Sequence, residues 1–187
     1  MGLKAFSAIL GTLSVASIFA VIQPSHSFET GHVKSVDFQG ENLLDVKAIQ
    51  NGKAYDVKVF RNEFCNGDTL PCLHSIKALV DGQQLPVKAV AKEANGRISI
   101  KAIRSDGKLI DIKSLMENGD LMDVKAHQVN GSFILPVKAF MNNGSILSIK
   151  GISKSGDVYD IKAIRPNLAD KVINGVKYMA DIKAIEG

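Results

Sequence analysis

The sequence predicts an all-β protein: an antiparallel meander of about twelve short strands in three four-strand units, closed as a prism-like or barrel-like structure. Three observations carry this expectation. A unit of the form apolar-Asp-(Val/Ile)-Lys-Ala-(Ile/Leu/Phe) recurs along the chain, its lysines stand mostly 11 to 13 residues apart, and turn dipeptides separate the copies. Leu44-Asp45-Val46-Lys47-Ala48-Ile49 and Tyr159-Asp160-Ile161-Lys162-Ala163-Ile164 are the most legible copies.

The chain opens with Lys4, an apolar run from Ala5 to Ile22, a Gln23-Pro24 break, and small residues at Ser25 and Ser27. This is the layout of a secretory signal peptide over residues 1–27, leaving 28–187 as a single repeat-built β domain. Without Lys4 the formal charge falls from +4 to +3, a near-balance that argues against a nucleic-acid partner. There is no Trp, and no second apolar stretch is long enough for a membrane-spanning helix.

The repeat lysines are Lys34, Lys47, Lys58, Lys77, Lys88, Lys101, Lys113, Lys125, Lys138, Lys150, Lys162 and Lys183. Between them fall Asn51-Gly52, Asn66-Gly67, Asp81-Gly82, Asn95-Gly96, Asp106-Gly107, Asn118-Gly119, Asn130-Gly131, Asn143-Gly144, Ser155-Gly156 and Asn174-Gly175, each a hairpin signal. The two long intervals hold a cysteine insertion and the Arg165–Lys177 stretch. Cys65 and Cys72, separated by turn residues in an exported chain, read as a local disulfide. A Cys65/Cys72/His74 metal site lacks a fourth ligand nearby, so no metal and no cofactor are expected.

Alternate residues of a strand face opposite sides. With the lysine as position zero, positions −3, −1 and +1 are large apolar, Val or Ile, and small; that face should be the core. Positions −4, −2, 0 and +2 face outward. An antiparallel hairpin closed at Asn51-Gly52 sets Lys47 opposite Asp56, Asp45 opposite Lys58, Ala48 opposite Tyr55, Ile49 opposite Ala54, Val46 opposite Val57 and Leu44 opposite Val59. Such pairs contribute about 0.2–1 kcal/mol each. A parallel stack would pile lysine on lysine at about 4.8 Å.

A longer period overlies the short one. The residues at −2 run Pro86, Ser99, Asp111, Asp123 and then Pro136, Ser148, Asp160, Asp181, which repeats one order of four with an offset of about fifty residues. The prolines suggest breaks between units, because proline cannot donate to a strand ladder. A single curled sheet is the alternative closure. An outer-membrane barrel is not expected, since Asp and Lys occupy the middle of the outward face.

No catalytic constellation is present: no Gly-x-Ser-x-Gly, no phosphate-cradling loop, no His-Glu-x-x-His and no calcium loop. The lysine row reads first as a solvated ladder neutralised by Asp at −2. Lys77, Lys88, Lys101, Lys138 and Lys150 have Ser or Pro at −2 and are the candidate anion-binding residues.

The strands Asp45–Ile49, Asp111–Leu115, Asp123–Ala126, Asp160–Ile164 and Asp181–Ile185, behind a signal peptide, resemble an uncharacterised family of secreted repeat proteins of Gram-negative bacteria, a domain of unknown function. The resemblance implies a periplasmic or secreted location and brings no activity. The expected function is a non-enzymatic exported binding or scaffold protein, with cell-envelope material or an anionic polysaccharide as partner. Two alternatives stand beside it: a carrier of a small apolar ligand, and a polysaccharide hydrolase with loop carboxylates.

Overall fold

The computed structural model describes residues 29–37, 42–62, 72–165 and 169–186; the leader assigned to residues 1–27 and Cys65 lie outside these. The chain is all-β, with β1 (Glu29–Val36), β2 (Leu43–Gln50), β3 (Lys53–Phe60), β4 (Leu73–Val80), β5 (Gln83–Lys92), β6 (Arg97–Ile103), β7 (Leu109–Leu115), β8 (Leu121–His127), β9 (Ile134–Phe140), β10 (Ile146–Ser153), β11 (Val158–Ile164), β12 (Lys171–Ile173), β13 (Val176–Tyr178) and β14 (Ala180–Glu186). Twelve of these carry one repeat lysine each and form one antiparallel sheet that curls back on itself; β12 and β13 form a separate small hairpin in the Arg165–Lys177 stretch.

The turn dipeptides act as their chemistry requires. Asn51-Gly52, Asp81-Gly82 and Asn174-Gly175 have positive φ at both residues, the geometry of a two-residue hairpin that matches strand twist. The turns ending at Gly96, Gly107, Gly119, Gly144 and Gly156 share another form. In each, the glycine N–H donates to the carbonyl three residues back, as in Gly119 to Met116 at 3.0 Å. At four of them an Asn or Asp side chain accepts from the N–H two residues on, as Asn118 does from Asp120 at 3.0 Å.

Hydrogen bonding groups the twelve strands by threes. In β1/β2/β3 the second half of each strand pairs with the first half of the next: Lys34 lies opposite Asp45, Lys47 opposite Asp56, and Lys58 opposite His32. The same cycle closes β6/β7/β8, β9/β10/β11 and β4/β5/β14. On its other flank each strand pairs with one strand of a different triplet. There are six such pairs: β1–β10, β2–β7, β3–β4, β5–β6, β8–β9 and β11–β14. Every triplet is thereby joined once to each of the other three, which is the connectivity of a tetrahedron. The four-strand units of the chain are each a triplet plus one strand, β4, β5 or β14, given to the shared fourth triplet.

This arrangement alters three sequence expectations. Asp45 faces Lys34 rather than Lys58, and the Val46–Val57 and Leu44–Val59 pairs are not in register, because β2 hands its first half to β1. The prolines open no break, since Pro86 lies opposite Lys77 and Pro136 opposite Lys162 within continuous pairing. Lysine does meet lysine in antiparallel register at all six inter-triplet pairs, from Lys34–Lys150 to Lys162–Lys183. Most of the ammonium groups relieve this by leaning into their own triplets, where carboxylates of the same or the next strand receive them, while Lys138, Lys183 and Lys77 lean onto Ser148, Ser75 and Gln84.

The inward face is the one expected, with alternating burial along nearly every strand. The Val or Ile at −1 of all twelve strands, from Val33 to Ile182, converge on the centre and leave about 10 Å³ of space. That is about one water's worth of room and far below a small apolar ligand's volume, so the centre offers a carrier no chamber. Within a triplet, position +1 of one strand opposes −3 of the next, a small residue against a large one, as in Ala48–Tyr55, Ala78–Leu85 and Ala163–Leu135. Val59 breaks this rule at +1; Gly31 stands opposite it, and Gly151, whose Cβ would meet the Val59 side chain, leaves room for its bulk. Ser35 and Ser114, both buried at +1, satisfy one another across β2 with their hydroxyls 2.5 Å apart.

Candidate functional site: four lysine faces

Because position zero always opposes −2 of the next strand in a triplet, each triplet displays three lysines on its outer surface, facing three −2 residues. The chain's longer period is thereby sorted into two kinds of face. On β1/β2/β3 and β6/β7/β8 the −2 residues are His32, Asp45, Asp56 and Ser99, Asp111, Asp123. On β4/β5/β14 and β9/β10/β11 they are Ser75, Pro86, Asp181 and Pro136, Ser148, Asp160.

The first two faces are balanced. Lys34 pairs with Asp45, and Lys47 bridges Asp45 at 3.1 Å and Asp56 at 2.7 Å. Lys58, largely buried opposite His32, reaches Glu29 at 2.8 Å and His32 Nε2 at 2.9 Å. On β6/β7/β8, Lys101 pairs with Asp111, Lys113 with Asp123, and Lys125 with Glu93 at 2.5 Å and Asp123 at 3.0 Å. Glu29 and Glu93 therefore supply the carboxylate that His32 and Ser99 do not. Neither is at a −2 position, so the repeat gives no sign of either role.

The β9/β10/β11 face keeps a surplus. Lys150 and Lys162 share Asp160, the second at 3.2 Å, while Lys138 donates to the Ser148 hydroxyl at 2.9 Å. Three lysines against one aspartate leave a formal +2 on this cluster. Burial, with repulsion from Lys162 and Lys150, pushes the Lys138 amine below the ordinary lysine range. On β4/β5/β14, Asp181 takes both Lys88, at 2.5 Å, and Lys171, at 3.0 Å. Lys183 has Ser75 at 3.2 Å, and its amine is pushed down by burial first and then by Lys88, with smaller contributions from Lys171 and Lys77. Lys77 donates to Gln84 at 2.9 Å and lies over the Phe60 ring.

Of the candidate lysines, Lys88, Lys101 and Lys150 thus receive an aspartate from the following strand, and Lys77 and Lys138 have polar partners of other kinds. Own-strand residues cannot reveal this, because the partner at −2 belongs to a neighbour. Lys162 and Lys183 gain their place in the surplus faces the same way. They also lie opposite each other on the β11–β14 pair, where the two surplus faces adjoin.

The carboxylates of these faces give a pH signature. The hydrogen bond from Lys47 to Asp56 and that from Lys150 to Asp160 hold both carboxyls below the usual aspartate range. A carboxyl with a depressed folded-state pKa contributes stability above its unfolded value, about 3.9, and loses it as pH falls through the folded value. Thermal melts should show a flat midpoint from neutral pH to about 4 and a decline below it. The Asp56→Asn, Asp160→Asn double variant should show a shallower decline, and an unchanged acid limb would mean these pairs are not coupled to folding.

His74 is buried at −3 of β4, its Nδ1 accepting from the Asn62 N–H at 3.4 Å, its Nε2 3.2 Å from Glu186 Oε1, and its ring edge-on to Tyr159. His127 is exposed on the outer rim opposite Arg97. Among the described residues no group of three His, Cys, Asp or Glu is placed to hold a metal ion, and no helix is long and apolar enough to cross a membrane. No curated protein and no solved structure matches the chain. The model of one family does match, over residues 30–185, a span that runs from β1 through β14: the chain belongs to DUF7486, a family of unknown function.

Proposed function

We propose that this is a non-enzymatic, exported binding or scaffold protein whose β9/β10/β11 face engages anionic material of the cell envelope, an acidic polysaccharide among the candidates. The observation that carries the reading is the surplus of lysine on that face beside two faces where every lysine meets a carboxylate. A ladder needed only for solubility would be balanced on each face alike. In this reading residues 1–27 direct export to the periplasm or beyond, and Cys65 and Cys72 form a disulfide in the insertion between β3 and β4.

Titration with a soluble acidic polysaccharide such as polygalacturonate tests it. Binding should weaken steeply with salt, because exposed charges are screened. Lys138→Gln with Lys162→Gln should lower affinity by about tenfold or more, at about 1 kcal/mol per exposed charge, while Lys101→Gln on a balanced face should bind as the unaltered protein does. Equal affinity for all three proteins would sink the proposal. An intact mass of the exported protein beginning at Phe28 and short of two thiol hydrogens is the expected result for processing and disulfide.

A further inference from the structure

We infer that the β9/β10/β11 face docks on an anionic lipid surface, an inference that rests on the reading of this face as anion-binding and names its partner class. The argument comes from the rim around the lysines. At the margins of each triplet, position −4 of one strand opposes +2 of another, on the same outward side of the pleat as the lysines. On this face all three −4 positions are exposed aliphatics: Ile134, Ile146 and Val158, at 52%, 55% and 53% exposure. Each lies opposite an apolar +2 residue, in the pairs Ile164–Ile134, Phe140–Ile146 and Ile152–Val158.

The other faces do not combine these features. The β6/β7/β8 face has two large exposed aliphatics, Leu109 and Leu121, around a balanced lysine cluster, and β1/β2/β3 has Leu43 beside the small Ala54. On β4/β5/β14 the −4 positions are Leu73, Gln84 and Met179, of which neither apolar residue is exposed. Surplus positive charge inside a three-cornered aliphatic rim is thus particular to β9/β10/β11.

That combination matches the chemistry of a lipid interface. Phosphate-bearing headgroups neutralise lysines, whose long stems can span the boundary, and aliphatic side chains enter the acyl margin just beneath. A hydrated polysaccharide gives such a rim no apolar partner. An exposed aliphatic group is normally neutral for solubility, but three around one charged cluster form a patch of the kind that marks an interaction site.

Co-sedimentation of the full exported chain with vesicles tests the inference, using an equal mixture of phosphatidylglycerol and phosphatidylcholine against phosphatidylcholine alone. Binding is expected to the mixture only. Lys138→Gln with Lys162→Gln should weaken it by about thirtyfold, and Ile146→Ser with Val158→Ser by about tenfold or more. These exposed serine substitutions should leave the melting curve in place. The serine variant should also bind soluble polygalacturonate as the unaltered protein does. If the serine variant keeps full vesicle binding, or the protein prefers the soluble polymer and ignores vesicles, the lipid inference is overturned while the anion-binding reading stands. If it binds neither vesicles nor polymer, both fall.

Discussion

Gly31→Ala is expected to lower the thermal midpoint by about 6 °C or more. A Cβ at Gly31 would lie 2.2 Å from the Ile152 carbonyl oxygen, 2.6 Å from its carbon and 2.9 Å from the Ser153 Cα, all of them backbone atoms of the paired strand β10. A side chain could rotate away, but a backbone held in a six-residue register cannot do so without loss of its ladder. Overpacking costs about 1–3 kcal/mol and sometimes more, and rigid neighbours place this case at or above ~3 kcal/mol. Each kcal/mol shifts the midpoint by about 2–4 °C at this chain length. Gly151→Ala makes the comparison, because its Cβ would meet Val59 Cγ2 at 2.7 Å and Tyr159 at 3.3 Å, side-chain contacts that can yield. Combining it with Val59→Ala restores the usual small residue at +1 of β3. The double variant should therefore lose less than the sum of the two single losses. Strict additivity would show that Val59 does not dictate the glycine.

Ile161→Ala is expected to cost about 2–5 kcal/mol, in the range for large-to-alanine changes in a close-packed core. Ile161 is one of the twelve Val and Ile side chains that fill the centre, and it is 3% exposed. Its neighbours there come from all four triplets, each fixed by pairing on both flanks, so they can collapse little into the void. Denaturant unfolding should show a lower midpoint with an unchanged slope. Ile134→Ala, at an exposed position on the same sheet, is the control and should change the unfolding free energy by less than about 0.5 kcal/mol. A small loss at Ile161 would mean that the centre is less tightly packed than its 10 Å³ residue of space indicates.

Much of this fold is legible in the repeat itself. The inward face at −3, −1 and +1, the turns at Asn-Gly and Asp-Gly, and the opposition of Lys47 to Asp56 all follow from a period of two and from local turn chemistry. What a single strand cannot announce is which strand it meets beyond its own hairpin. Asp45 sits between two repeat strands, and nothing local says that it will face Lys34 of the preceding strand rather than Lys58 of the following one. The grouping by threes is hidden for the same reason, since every strand carries the same unit. The candidate site was half legible. Ser and Pro at −2 do mark where carboxylates are missing, but the lysines left in surplus stand on the preceding strand of the triplet, and the compensating Glu29 and Glu93 lie outside the unit.

The shared triplet has a consequence for the order in which the molecule can be assembled. Three triplets are made from strands adjacent in the chain, so their hairpins can close while contacts are still local. The fourth waits for β14, whose lysine reaches Ser75 across 108 residues of sequence. Until then β4, β5 and β11 each keep a flank of unpaired backbone groups, a template on which other chains can pair. Long-range pairing of this kind slows folding, and the interval before it is the one most open to aggregation. The last strand therefore acts as a latch: closing it removes the remaining open edges of the twelve-stranded sheet at once, and a chain truncated before Ala180 should accumulate as oligomers rather than as a slightly weakened monomer.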